Sequence, residues 1–543
     1  MSESNNPKSY AGFTIGPIYD VLSHARKTRE LWFGSYFFSW FMERMIEQLS
    51  QDDDIDFITP YVQKPFIQNH SRIGKYHDRF VIASKLDQKQ LFEAIRTTSD
   101  RTLGEFAQMI YQCPGGSNIG DLSEVQRILT DYIQRKFIVL RATEITDGAN
   151  PAAAIDPYLD TVEENLHFAL GTSRKTCDRC KTLPGVKMLS FEEKENNVPV
   201  KKERPLCPIC FIKYMSNRSQ TVSDKVGDFR YPMILEIAAR DLLFDSAVQS
   251  AFAEVIREED DDNFEAVTSA YRTVFKKDPD TKPFHKYYAV VQADGDDLGN
   301  LASQLDAQAL SKRLFSFANK AEEVVEKYHG EAIYVGGDDI LAFIPVAFHE
   351  GRSLKTILDF AVEISQVYTQ CINNDVPEDK WSSLSMGINI AYFKFPLVHA
   401  LESARDQLGR AKERPGKNAV AVCLTKHSGF QMSFAFTFGT PELRTFSDLM
   451  RSVLGGVVDI PHAVHHKLAA HAKLLSHLQE ESLRVFMDNV FNEPIHAPYR
   501  AGLNKICEML ALAIQTRAGD NKEDAVKDVL NKLRFLKFLR GDK

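Results

Sequence analysis

The chain has 543 residues, 44% of them hydrophobic, and at one to two hundred residues per domain it predicts about three to five folded domains and excludes a disordered or fibrous chain. A formal net charge of −8 provides no global cationic field, so any nucleic-acid contact must be local or shared with partners. The longest apolar-looking run, Leu31 to Met42, is broken by Gly34, Ser35 and Ser39 and falls short of the roughly 20 residues that cross a bilayer, and MSESNNPKSYAG has no leader design, so a cytoplasmic protein is expected.

Residues 1–165 read as an α+β unit of the ferredoxin sort. The strand FTIGPI (13–18) feeds one or two long helices over Tyr19 to Leu49, strands follow at 57–62 and 79–84, and helices cover Leu91 to Ile110 and Leu122 to Leu140. Residues 166–225 are loop-rich and hold the paired cysteines. A helical linker over 226–280 contains stretches at Pro232 to Ile256 and Phe264 to Phe275, separated by the acids Glu258 to Asp262, which read as a solvated loop. KKDPDTKPFHK then marks a boundary near 276–284.

Residues 281–439 form the best-defined unit. Strand YYAVVQA, helix Ala307 to Tyr328, strand AIYV, turn GGDD, strand ILAFIP, helix Leu354 to Asn373 and strand LSMGINIAYF spell βαββαβ, followed by helix Val398 to Lys412 and strand NAVAVCL. Residues 440–543 are helical, with Asp520 and Glu523 as a capping box for the last helix. The expected fold class is therefore α+β multidomain, with two ferredoxin-like units, a zinc-binding module and helical domains.

Asp294 ends an apolar strand, and Gly336-Gly337-Asp338-Asp339 forms a tight hairpin between two more. Adjacent strands lie about 4.8 Å apart, so carboxylates at these ends can share Mg²⁺ or Mn²⁺. Two such ions roughly 4 Å apart clamp an attacking hydroxyl and a leaving pyrophosphate, while the glycines let a triphosphate lie against the backbone. A bare polar hairpin is the competing reading. Asp294-x-Asp296-x-x-Gly299 starts like a calcium loop, but Leu298 and Leu305 stand where oxygen ligands are required. Lys412 and Lys417 could neutralise a triphosphate or be ordinary surface lysines, and no Walker-type phosphate loop occurs.

Cys177-x-x-Cys180 and Cys207-x-x-Cys210 are two knuckles of a four-thiolate site for structural Zn²⁺, with a spacer longer than usual. His77-Asp78 invites a metal-dependent phosphohydrolase reading, but lacks the further histidines and aspartates such a site needs. It is taken as a polar strand end.

Taken in order, FTIGPI with ARKTRELWFGSYFFS (25–39), KYHDRFVIAS, the CxxC pairs, ADGDDLGNL, VGGDDILAF, LSMGINIAYFKFPL and AKERPGKNA resemble the large polymerase-like, Cas-ten-type subunit of type III CRISPR effector complexes, in the Cmr or III-B version. His77-Asp78 replaces the Pro-Asn of that family's P-N-R-F strand. The resemblance implies two palm domains, the second joining ATP-derived AMP units into a signalling nucleotide when the complex binds target RNA, in antiviral defence. It implies Mg²⁺ on Asp294, Asp338 and Asp339, and adenosine pockets lined by Gly34, Ser35 and Ser39 in the first palm and Ser385 in the second. Other III-B subunits, guide RNA and target RNA are the implied partners, and the acceptor is ATP or another molecule such as S-adenosyl methionine. With 12 residues before FTIGPI, the HD nuclease domain of many relatives is expected to be absent. A diguanylate-cyclase-like enzyme and a catalytically silent scaffold are the alternatives.

Overall fold

The computed structural model describes residues 7–541 apart from 64–65, 67–72, 114, 146–149, 165–175, 182, 186, 196–197, 216–230, 245–274, 276–280, 303–304, 493 and 517–520. The chain divides into two compact units. The first comprises Met1–Pro232, Leu298–Asn319 and Ile333–Asp339, and the second Met233–Asp297, Lys320–Ala332 and Ile340–Lys543.

In the first unit, β1 (Ser9–Gly16), α1 (Ile18–Ser23), α2 (Thr28–Leu49), β2 (Ile55–Thr59), β3 (Arg79–Ser84), α3 (Gln88–Gln112), α4 (Leu122–Tyr132) and β4 (Gln134–Arg141) follow one another. The sheet order is β2-β3-β1-β4 with every neighbouring pair antiparallel, the arrangement of a ferredoxin-like βαββαβ unit. Alternate residues Ala11, Phe13 and Ile15 of β1 face the core, and Phe13 stacks on Phe80 of β3 at 5.0 Å between centroids. Helix α2 is apolar on most sides and correspondingly buried from Leu31 to Met42.

Two local expectations change in this unit. The helix expected over Leu122 to Leu140 stops at Tyr132, where the stripe Val125, Ile128, Leu129, Tyr132 ends; the β-branched run that follows becomes β4 on the edge of β1, with Phe137 opposite Phe13. The zone between the cysteine pairs is a β-hairpin, β5 (Lys187–Glu195) with β6 (Val198–Leu206), which accounts for the long spacer. Helix α5 (Pro151–Glu163) packs on β1, and α6 (Pro208–Met215) follows the second knuckle.

The second sheet has the order β14-β13-β12-β7-β9-β8, built from β7 (Tyr287–Asp296), β8 (Glu331–Gly336), β9 (Asp339–Pro345), β12 (Ser383–Tyr392), β13 (Ala419–Thr425) and β14 (Gln431–Thr437). Its run β12-β7-β9-β8 repeats the ferredoxin-like order, and β13 adds parallel to β12. A small hairpin, β10 (Ala347–Glu350) with β11 (Ser353–Thr356), takes up what was expected to be the start of a helix at Leu354, because Thr356 and Asp359 form a capping box that starts it at Ile357. Helix Leu397–Lys412 lies on β12.

Beyond β14 the chain is helical. Phe434 of β14 meets Phe446 at 5.6 Å and Phe535 at 5.0 Å, which joins the helical segments to the sheet. The last helix runs Asn521–Arg540, and the expected cap Asp520 lies outside the described residues. Residues 245–274, with the acidic run and most of the expected linker helices, also lie outside them; the described part holds a short helix at Ile234–Ala238 and a 3-10 turn at Arg240–Phe244. No helix among the described residues is long and apolar enough to cross a membrane.

Candidate functional site

The end of β7 carries three carboxylates that the structure treats differently. Asp294 is ion-paired with Lys412, the last residue of helix Leu397–Lys412. Asp296 is almost completely buried. Its Oδ2 accepts from Ser383 Oγ at 2.7 Å, Ser385 Oγ at 2.9 Å and the Asn418 amide at 3.2 Å. Asp297, with a left-handed φ of 56°, pairs with Lys417 at 2.6 Å. Both sequence-predicted lysines therefore engage β7-end acids. Ser385 is fully covered, with its hydroxyl turned to Asp296. The calcium-like spacing had drawn attention to Asp296, but its role as the buried anchor of the strand end was not legible: an Asp flanked by Asp294 and Asp297 gives no sign of which one turns inward.

The Gly336-Gly337-Asp338-Asp339 turn belongs to the first unit. Gly337 adopts φ 61°, a left-handed conformation that favours glycine, and a Cβ there would stand 1.9 Å from His77 Nε2. His77 Nδ1 lies 2.9 Å from the Tyr334 hydroxyl. His77-Asp78 does precede β3, as expected of a strand end, but the imidazole packs against the acidic turn. Sequence reasoning missed this, since the two residues are separated by more than two hundred positions.

The electrostatics are those of a crowded acidic site. Asp339 keeps solvent contact, but the protein packed around it withholds water and Asp338 and Asp78 add negative charge, so its carboxyl is pushed up to about 7. Burial, with Glu163 adding to it, pushes Asp78 up to about 6. Desolvation lowers the His77 imidazole, and the Asp338 charge opposes that shift. Oxygen donors held this way suit Mg²⁺, which would relieve the repulsion between the carboxylates.

Gly34, Ser35 and Ser39 are buried along α2. Ser39 Oγ accepts from the Tyr76 amide at 2.9 Å, and a Cβ on Gly34 would approach Lys213 Cε to 3.0 Å. The first unit therefore gathers Gly34, Ser35, Ser39, Gly336, Gly337, Asp338 and Asp339. The second holds Asp294, Ser385, Lys412 and Lys417.

Cys177, Cys180, Cys207 and Cys210 are all buried, with their sulfurs within 4.8 Å of one another. Hydrogen bonding among the sulfurs pulls the Cys180 thiol down, while burial holds Cys207 up, which leaves a shared-proton cluster where a dication would hold four thiolates. The Cys180 to Cys207 sulfur separation of 4.0 Å is close to that of a tetrahedron with Zn–S near 2.3 Å, so the donor set fits structural zinc. This is the one such group among the described residues. The first knuckle holds the entry to α2, and α6 behind the second knuckle reaches α1. Asp178 carbonyl accepts from Arg26 at 3.2 Å, Arg179 lies 3.5 Å from Glu30, and Lys213 of α6 donates to the Val21 carbonyl.

Comparison with known proteins follows the two sheets. Residues 287–421 match the family described as Cas10/Cmr2, second palm domain, and residues 10–108 match CRISPR-associated protein Cmr2, N-terminal. The chain is 28% identical over 328 residues to the CRISPR system Cmr subunit Cmr2 of Pyrococcus furiosus, covering 47% of this chain and 36% of that relative, so the match spans well under two thirds of the relative's length. Among solved structures it is similar in fold to the apo state of a type III-B Cmr-beta complex, with TM-score 0.62, 14% identity, 99% of this chain and 82% of that chain. The same complex bound to cognate target RNA gives TM-score 0.61 at 13% identity, over 99% of this chain and 84% of that chain. With two family matches in the expected order, one on each ferredoxin-like sheet, and a Cmr2 relative aligned besides, the chain is similar in both of its sheets to the Cas10/Cmr2 family of CRISPR effector subunits.

Proposed function

We propose that this chain is the nucleotidyltransferase subunit of a type III-B effector complex, which on binding target RNA joins ATP-derived AMP units into a signalling nucleotide. The product is a cyclic oligoadenylate or AMP joined to another acceptor such as S-adenosyl methionine. The observation that carries this reading is the Gly337 turn: left-handed and without a Cβ, it displays Asp338 and Asp339 at the end of β8. Similarity to a Cmr complex solved with cognate target RNA supports RNA and other Cmr subunits as partners.

In this mechanism Asp294, Asp338 and Asp339 would hold Mg²⁺, and Lys412 is the resident ion-pair partner of Asp294. Bound Mg²⁺ supplies charge stabilisation for the attacking ribose hydroxyl and the leaving pyrophosphate. Gly336 and Gly337 let the triphosphate approach the backbone, and Lys412 and Lys417 neutralise its charge. Asp296, pinned by Ser383 and Ser385, fixes the strand end that presents Asp294. Gly34, Ser35 and Ser39 are assigned to the first adenosine pocket, and Ser385, whose covered hydroxyl is bonded to Asp296, to the wall behind the second.

The test is a reconstituted complex with guide RNA, target RNA and labelled ATP, with and without S-adenosyl methionine, its products identified by mass. Asp338→Ala with Asp339→Ala is expected to abolish the product while assembly persists. Full product from that double variant overturns the assignment.

A further inference from the structure

Segment 73–78 ties α2 to the acidic turn, and every link lies within the first unit. The Tyr76 amide donates to Ser39 Oγ. Gly74 forms an isolated parallel bridge with Tyr334, and a Cβ built on Gly74 would stand 2.8 Å from Ser39 Cβ, so the chain is threaded tightly between α2 and β8. His77 comes next. Its Nδ1 meets the Tyr334 hydroxyl, its ring lies edge-on to the Tyr334 ring at 6.1 Å, and its Nε2 occupies the space a side chain on Gly337 would need.

A strand end and turn joined through two consecutive glycines, Gly336 and Gly337, have more backbone states open to them than any other pair of residues there would give. Catalytic carboxylates must nevertheless be held to a fraction of an ångström, and that precision comes from neighbours whose own rotamers are locked. His77 meets this requirement, because one imidazole edge is fixed by Tyr334, two residues before Gly336, and the other abuts Gly337 itself. We propose that His77 is a positioning residue for nucleotidyl transfer, acting through Gly337 to hold Asp338 and Asp339 at their working angle, a role that presupposes the activity proposed above.

The two ring nitrogens can be separated by substitution. In His77→Asn the amide takes the place of Nδ1 and keeps a partner for Tyr334, but leaves the space under Gly337 empty. In His77→Gln the amide reaches the place of Nε2 and props the turn. In the target-RNA-activated complex, His77→Ala and His77→Asn are expected to lower turnover roughly tenfold to a hundredfold with the KM for ATP nearly unchanged, the scale of a displacement of about 1 Å in a reacting group. His77→Gln is expected to restore most of the turnover. Wild-type turnover in His77→Ala, or equal recovery by Asn and Gln, overturns the proposal. A wild-type complex that makes no product at all refutes the nucleotidyltransferase assignment instead.

A second measurement needs no activity. Gly337→Ala places a methyl group against His77, so its melting-temperature loss is expected to be larger in the wild-type background than beside His77→Ala. Equal losses in the two backgrounds show that the ring does not support the turn and also overturn the proposal.

Discussion

The ammonium of Lys412 closes on the carboxylate of Asp294, so a residue proposed to hold metal is already neutralised by a lysine at the end of the helix lying on the same sheet. Under the proposed function, metal and lysine compete for one carboxylate. In Lys412→Met, the Mg²⁺ concentration for half-maximal synthesis is expected to fall by up to about fivefold, since a partly exposed ion pair is worth about 0 to 1 kcal/mol. The KM for ATP is expected to rise, because a cation for the phosphates is gone. Titrating Mg²⁺ and ATP separately checks this, and a rise in the Mg²⁺ requirement would contradict it.

Removing the knuckle metal should be felt in α2. Purified protein is expected to contain about one Zn²⁺ per chain, and Cys177→Ser or Cys207→Ser to lose it, since a four-thiolate site couples binding to local folding. Arg26 and Glu30 are held by the first knuckle and Val21 by Lys213 of α6, which follows the second, so hydrogen exchange over residues 18–35 should accelerate in those variants. Zinc-free protein with unchanged exchange there would separate the module from the helix.

Gly387 of β12 sits under the backbone of helix Leu397–Lys412: a Cβ would lie 2.2 Å from the Ala404 carbonyl oxygen and 2.2 Å from the Leu408 amide nitrogen. Gly387→Ala must push the whole helix off the sheet, an overpacking expected to cost about 1 to 3 kcal/mol or more. Denaturant unfolding should show the loss, and a neutral result would mean the helix can shift freely.

Asp78 gives a pH-dependent prediction. Its carboxyl titrates near 6 in the folded chain, against about 3.9 when unfolded, so the folded state binds the extra proton between those values and loses stability as pH rises through them. Asp78→Asn removes that penalty. It should raise the melting temperature at pH 7.5, by the equivalent of roughly 2 kcal/mol, and leave it little changed near pH 4. A constant difference across this range would assign the effect to packing instead.

Much of the architecture was legible because hydrophobic periodicity reports local structure well. The β3 strand over 79–84, the split helices after β1 and the βαββαβ order from Tyr287 onward are all visible in the spacing of apolar residues. The β4 strand was not, because Phe137 to Leu140 form a short apolar run that suits a helix or a strand equally, and the free edge of β1 decides between them. In the candidate site, acids next to glycines announce themselves through composition. His77 and Asp296 do not, since what defines each is a partner brought close by the fold.

The two sheets share one strand order, yet the connection between their second and third strands differs greatly: a two-residue turn, Gly337-Asp338, in one and residues 60–78 in the other. If both descend from one duplicated unit, the copy that kept the acidic turn lost the freedom to vary in length, because any added residue moves the carboxylates. The other copy was released from that constraint at the corresponding connection, and its longer segment places His77 against the turn of its sibling. Insertions and deletions among relatives should therefore concentrate between Pro60 and Ser71 and avoid both the turn and the stretch from Ile73 to Asp78.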